Sequence, residues 1–181
     1  MTSNGHLIFS LASFIFIKKL NLLKIINENN WLNIITGSII SCLLPDIDHP
    51  KSFLGRKLKW ISLPIFKIFG HRGFTHSILS IIFLYKILIS KLIINLFITT
   101  DISYIIILGY INHIIADFLT PLGVPLFWPC TWRFKIPILN NNKNPYWEKF
   151  FCMLLLITSI IFPLKIHFIN FYLKNIWIKF F

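Results

Sequence analysis

Apolar residues gather into five stretches along the chain, Leu7–Ile17, Trp31–Leu44, Ser77–Ile98, Ile102–Leu119 and Phe150–Phe168. The third predicts a membrane helix most directly: as a helix it reaches about 33 Å at ~1.5 Å per residue, enough for a hydrocarbon core of about 30 Å. Lys86 and Lys91 interrupt it and must snorkel or face neighbouring helices. The fourth and fifth reach roughly 27 to 28 Å and can span with slight mismatch, Pro163 and Lys165 bending or ending the last one early. The first two are short. Leu7–Ile17 is expected to be half-inserted or packed under the other helices.

Between the second and third stretches, Pro45–His76 mixes Leu58, Trp60, Ile61, Leu63, Ile65, Phe66 and Phe69 with Lys57, Lys59 and Lys67. That mixture predicts an amphipathic segment lying on the membrane and broken by Pro64. Thr120–Trp147 carries five prolines and Trp128, Trp132 and Trp147, as suits an irregular lid at headgroup level. No internal repeat is evident. The expected fold is an all-α, multi-pass membrane bundle of about four to five apolar helices, forming one domain over residues 1–181.

Composition supports lipid as the solvent. Hydrophobic residues make up 56% of the chain and charged residues only 13%, against about a quarter in soluble domains. The net charge of +12 comes from Lys and Arg scattered along the chain, which argues against a specific nucleic-acid site and for anionic lipid headgroups. Cys42, Cys130 and Cys152 have neither paired count nor metal-knuckle spacing and read as packing residues. No basic region precedes the first apolar run and no small-residue cleavage pattern follows it, so His6 is expected to be retained. The abundance of Ile, Asn, Lys and Phe looks like drift in an AT-rich genome.

Tracing the stretches up and down brings the chemistry to one end. His6 begins there; the second stretch returns just where Pro45-Asp46-Ile47-Asp48-His49-Pro50 occurs; the third leaves after His71-Arg72-Gly73-Phe74-Thr75-His76; the fourth returns with His113 and Asp117 in its last turns. Eight of the twelve Asp, Glu and His residues fall at that end. Basic residues in the connections also favour it, which makes it the cytoplasmic side by the positive-inside rule.

Each motif has a plain and a functional reading. Pro45 and Pro50 push the residues before them out of helical geometry, and in an extended segment Asp46 and Asp48 would point the same way, offering two oxygen donors. A solvated helix-stop turn is the alternative, and His49 serves equally well as a cap. His71 and His76 are five residues apart, off a single helical face, so Gly73 must supply a turn. Thr75 or Ser77 can cap the following helix, and Arg72 can clamp an anion through its fork of donors. A basic headgroup-facing loop is the plain reading. His113 and Asp117 share one helical face, as metal ligands or as a simple hydrogen-bonded pair.

These residues resemble the YdjM family of inner-membrane, metal-dependent hydrolases. The resemblance is carried by GHLIFS at Gly5–Ser10, CLLPDIDHPKSFLG at Cys42–Gly55, LKWIS at Leu58–Ser62, GHRGFTHS at Gly70–Ser77 and GY..H..AD..TP.GVPL.WPC.WRF..PIL at Gly109–Leu139. That family is considered similar to zinc-dependent phospholipase C and P1-type nucleases, which are all-helical with clustered His and Asp ligands. The resemblance implies that His6, Asp46, His71, His76, His113 and Asp117 are metal ligands. In the soluble enzymes a processed N-terminal amine also binds metal, and no cleavage site precedes His6 here. The family is also linked by label to the DNA-damage repressor LexA.

The expected cofactor is a divalent metal, zinc. The expected chemistry is hydrolysis of an ester or phosphoester, with Asp48 orienting or deprotonating the water and Arg72 holding the substrate anion. Position at a membrane face points to a lipid or lipid-linked substrate. The alternative is a non-enzymatic membrane protein with a structural metal clip or a partner-docking face. Ion transport ranks last, because it needs ionisable groups near the midplane.

Overall fold

The computed structural model describes residues 1–19, 31–90, 99–139 and 146–161. They form helices α1 (Ser3–Lys19), α2 (Trp31–Ser41), α3 (Phe53–Lys57), α4 (Lys59–Phe69), α5 (Ile78–Ile89) and α6 (Thr100–Phe118), with α7 over 147–161. Two 3-10 turns, Pro45–Asp48 and Phe74–His76, precede α3 and α5. No strand occurs among the described residues; Val124 and Phe134 make one isolated antiparallel bridge in the loop after α6. The all-α expectation therefore stands, while the ends of the third and fifth apolar stretches, with Lys91, Pro163 and Lys165, lie outside the described residues.

Side-chain caps fix where several helices begin. Thr2 accepts from the Gly5 amide, Ser52 from Gly55, Ser77 from Ser80 and Thr99 from Ile102, each using a first-turn N–H that has no partner inside its helix. Contrary to the expected break, α4 continues through Pro64. Pro64 stands mid-helix and forfeits the ladder bond to the Trp60 carbonyl without ending the helix, which stops at Gly70, φ 72°.

α6 is the central helix. Ile105 packs with Phe14 of α1 and Ile34 of α2; Ala116 packs with Phe9 of α1 and Cys152 of α7; Tyr110 and Ile114 pack with Val124 from the loop and with Ile81 and Leu84 of α5. α2 lies closest, because Gly109 has no Cβ: one added there would collide with the Ser41 hydroxyl. Small residues at such a crossing let backbones approach where lipid removes most of the hydrophobic drive between helices.

Beside this apolar core, the molecule buries many serines and exposes many large apolar side chains. Its buried set includes Ser10, Ser38, Ser41, Ser62, Ser77, Ser80 and Ser103, while Leu32, Ile40, Trp60, Ile68, Phe83, Phe150, Ile157 and Ile161 are exposed. α4 is the clearest case, turning Ser62 inward and Trp60, Leu63, Phe66 and Ile68 outward. Apolar surface on this scale suits lipid rather than water. Among the described helices α6, with 19 residues, is long and apolar enough to cross a membrane, and α5 is a shorter apolar helix. Of the cysteines, Cys42 and Cys152 are buried as expected, but Cys130 is exposed.

Candidate metal centre

Four side chains from three elements converge at the C-terminal end of α6. Asp46 comes from the first 3-10 turn, His76 from the second, and His113 and Asp117 from consecutive turns of α6. One donor atom from each lies within 4.8 Å of the other three. His76 Nε2 and His113 Nε2 stand 3.4 and 3.5 Å from Asp117 Oδ2, and 3.9 and 3.5 Å from Asp46 Oδ1. A tetrahedral site with bonds of about 2.0–2.1 Å has edges of roughly 3.3–3.4 Å, so a single ion fits with small adjustments.

The hydrogen bonds behind the two imidazoles settle which nitrogen faces inward. His113 Nδ1 lies 2.5 Å from the Cys42 carbonyl, which can only accept, so Nδ1 carries a proton, and whenever the ring is neutral its lone pair lies on Nε2. His76 Nδ1 lies 3.2 Å from Asp48 Oδ2 and 2.9 Å from Thr75 Oγ1, whose own proton goes to Asp48 at 2.6 Å. His76 Nδ1 is therefore also a donor, and its Nε2 also points a lone pair inward. Neither Nε2, nor Asp117 Oδ2, has a hydrogen-bond partner although all are buried. Buried acceptors facing one another without a donor leave a place for a cation.

Electrostatics agree. Burial pushes the Asp46 carboxyl up, but the neighbouring imidazoles, His113 first and then His6 and His76, outweigh this and hold it well below the usual carboxylate range. Asp48 is held low against its burial by His71, His76 and Thr75. Burial lowers His76, yet the Asp117 and Asp48 carboxylates outweigh it and leave the imidazole above its ordinary value. The pocket thus attracts positive charge. For His49, burial followed by the nearby His71 moves the ring down.

The chain belongs to the YdjM inner membrane protein family. The model of that family, described as YdjM inner membrane protein, matches residues 1–178. The chain is 50% identical over 163 residues to proteins named Inner membrane protein YdjM from Escherichia coli (strain K12) and Shigella flexneri, covering 90% of this chain and 83% of each relative. It is 34% identical over 105 residues to a Bacillus subtilis (strain 168) protein named YvsG, covering 58% of this chain and 62% of that one. No solved structure matches.

Of the six residues expected as ligands, Asp46, His76, His113 and Asp117 form the four-donor group. His6 is adjacent: its ring stacks on His113 at 3.8 Å, and its Nε2 faces the other Asp117 oxygen, Oδ1, at 3.4 Å. His71 stands outside the group, one-third exposed, with Nδ1 3.1 Å from Asp48 Oδ1 and its ring against His49. The two residues expected to act on substrate have other partners. Asp48 is fully buried, both its oxygens engaged by His71, Thr75, His76 and the Arg72 amide. The Arg72 guanidinium is turned inward, donating to Asp117 Oδ1 at 2.7 Å, to Thr120 Oγ1 and to the Gly123 carbonyl.

Local geometry also departs from expectation in instructive ways. Leu44, before Pro45, is helical, and Pro45–Asp48 winds into a 3-10 turn, so Asp46 and Asp48 do not point together but approach opposite nitrogens of His76. The left-handed residue in the second loop is Arg72, at φ 56°, not Gly73. Gly73 is required by space instead, since a Cβ there would strike the Phe69 carbonyl.

Sequence reading passed over Glu148. It is buried and accepts from the Thr2 amide at 2.9 Å and the Thr2 hydroxyl at 2.5 Å, tying α7 to the start of α1 beside Gly5 and His6. The Met1 ammonium, also buried, lies 3.1 Å from Asp117 Oδ1. The one carboxylate after Asp117, between Trp147 and Lys149, was the available signal for Glu148.

Proposed function

We propose that this is a multi-pass protein of the inner membrane that binds one divalent metal, zinc, and hydrolyses an ester or phosphoester of a lipid or lipid-linked molecule at the membrane face. The observation that carries this reading is the set of four inward-facing acceptor atoms from Asp46, His76, His113 and Asp117. Location follows from the relatives' names, and the bare apolar faces of α4, α5 and α7 support lipid contact. A zinc ion held there supplies a Lewis acid and an activated water near neutral pH. Asp46 is the member of the group with an exposed edge, and its turn packs against α4, so substrate approaches on the side where that helix turns its aromatic residues to the bilayer.

One observation favours a second reading, a structural metal clip. Four protein donors are enough to close a tetrahedral shell, and three of the four are completely buried. The two readings separate on the purified, detergent-solubilised protein. Metal analysis should give one equivalent, lost in His113→Ala and Asp46→Ala, and a panel of phospholipids and phosphodiesters should be hydrolysed in a chelator-sensitive way. Unchanged metal content in both variants would defeat the ligand assignment. Full metal occupancy with no hydrolysis, and with melting lowered by chelator, would establish the clip.

A further inference from the structure

We propose that Asp48 is a positioning residue that acts on the metal through His76, and that the His71–His76 loop is folded around its carboxylate. The proposal rests on the metal-centre reading and extends it outward by one shell of contacts. Asp48 is separated from the four donors by the ring of His76: it meets Nδ1 at 3.2 Å while Nε2 faces the group. A carboxylate so placed keeps the proton on Nδ1, orients the ring and makes Nε2 a better donor.

Three further contacts keep Asp48 in that place, and all come from the loop that carries His76. The Arg72 amide donates to Oδ2 at 2.8 Å, the Thr75 hydroxyl donates to Oδ2 at 2.6 Å, and His71 Nδ1 reaches Oδ1 at 3.1 Å. The positive φ of Arg72 belongs to the same arrangement. A left-handed backbone at a residue other than glycine is costly, and persists only where surrounding bonds over-determine it. Here one of those bonds is the amide's own bond to the buried carboxylate, and others run from the same residue's guanidinium to Asp117 and Thr120. Arg72 thus braces both Asp48 and Asp117 from behind. Asp48 meets the His76 ring from its Nδ1 side, opposite the Nε2 that faces the four-donor group, so it is not the residue placed against a metal-bound water.

The test is Asp48→Asn in the full-length protein in detergent, read by competition with a chromophoric zinc chelator and by the visible spectrum of the cobalt(II)-loaded form. The expected result is one equivalent still bound at saturation, about 10- to 100-fold more weakly, with cobalt bands shifted in position but retaining tetrahedral intensity. A purely structural role would leave the band positions unchanged in whatever fraction still binds. Affinity and spectrum equal to the parent's would overturn the proposal. So would complete loss of stoichiometric binding with helical circular dichroism intact, the behaviour expected of Asp46→Ala, because Asp48 would then be a ligand itself. If Asp48→Asn fails to fold, Thr75→Val decides: it should weaken zinc binding several-fold in the same direction, and no change would refute the role. A parent protein that takes up no metal would remove the underlying centre, a different failure from either of these.

Discussion

The two halves of the candidate centre are held by different physics. On one half His113 and Asp117 sit one turn apart on α6, and their spacing follows from helix geometry alone. What must be supplied is the position of the helix, and that comes from backbone approach: Gly109 against Ser41, and the Cys42 carbonyl on His113. On the other half Asp46 and His76 sit in 3-10 turns with no long element to fix them. Their position comes from buried polar bonds centred on Asp48, Arg72 and Thr75. Close packing resists change in volume, whereas a polar network resists the loss of any one partner.

That contrast can be broken most sharply at Asp117, which belongs to both halves. Asp117→Ala should abolish stoichiometric metal binding and lower stability by about 3–5 kcal/mol, since Arg72 and the Met1 ammonium are left buried without their carboxylate. Metal content and thermal unfolding in detergent measure the two effects separately, and an unaltered melting temperature would show that these cations find other partners. A smaller effect, confined to the helix half, is expected at Gly109. Gly109→Ala should destabilise by about 1–3 kcal/mol through overpacking against Ser41 and weaken metal binding. Adding Ser41→Gly should restore much of both, and an absence of rescue would place the strain elsewhere. The smallest effect belongs to the junction after His76. Ser77→Ala removes the cap of α5 and should cost about 0.5–2 kcal/mol, with metal affinity nearly unchanged because Asp48 and Thr75 still hold the imidazole. A large loss of affinity there would mean that the cap, and not the polar network, sets the position of His76.

The same division explains what was legible in the sequence. Helix-borne ligands obey periodicity, so His113 and Asp117 could be paired from spacing, and counting helix ends was enough to bring Asp46 and His76 to the same place. Turn geometry is not periodic. The extended reading of Asp46 and Asp48 rested on the effect of proline on its predecessor, but Pro45 starts a 3-10 turn after a helical Leu44, and the two carboxylates separate. His71 looked equivalent to His76 because both flank one loop, and only the direction of Arg72, with its left-handed backbone, sends one imidazole in and leaves the other at the surface. For Glu148 the sequence offered only an isolated carboxylate, because its partner Thr2 lies 146 positions away and no local pattern links the two.

The Glu148 anchor carries a consequence for biosynthesis. α1 leaves the ribosome well before α7, yet the bonds that hold its beginning, and with it His6, are made by a carboxylate 146 positions downstream. Insertion must therefore keep α1 unlatched until α7 has emerged, and the polar end is sealed only when α7 arrives.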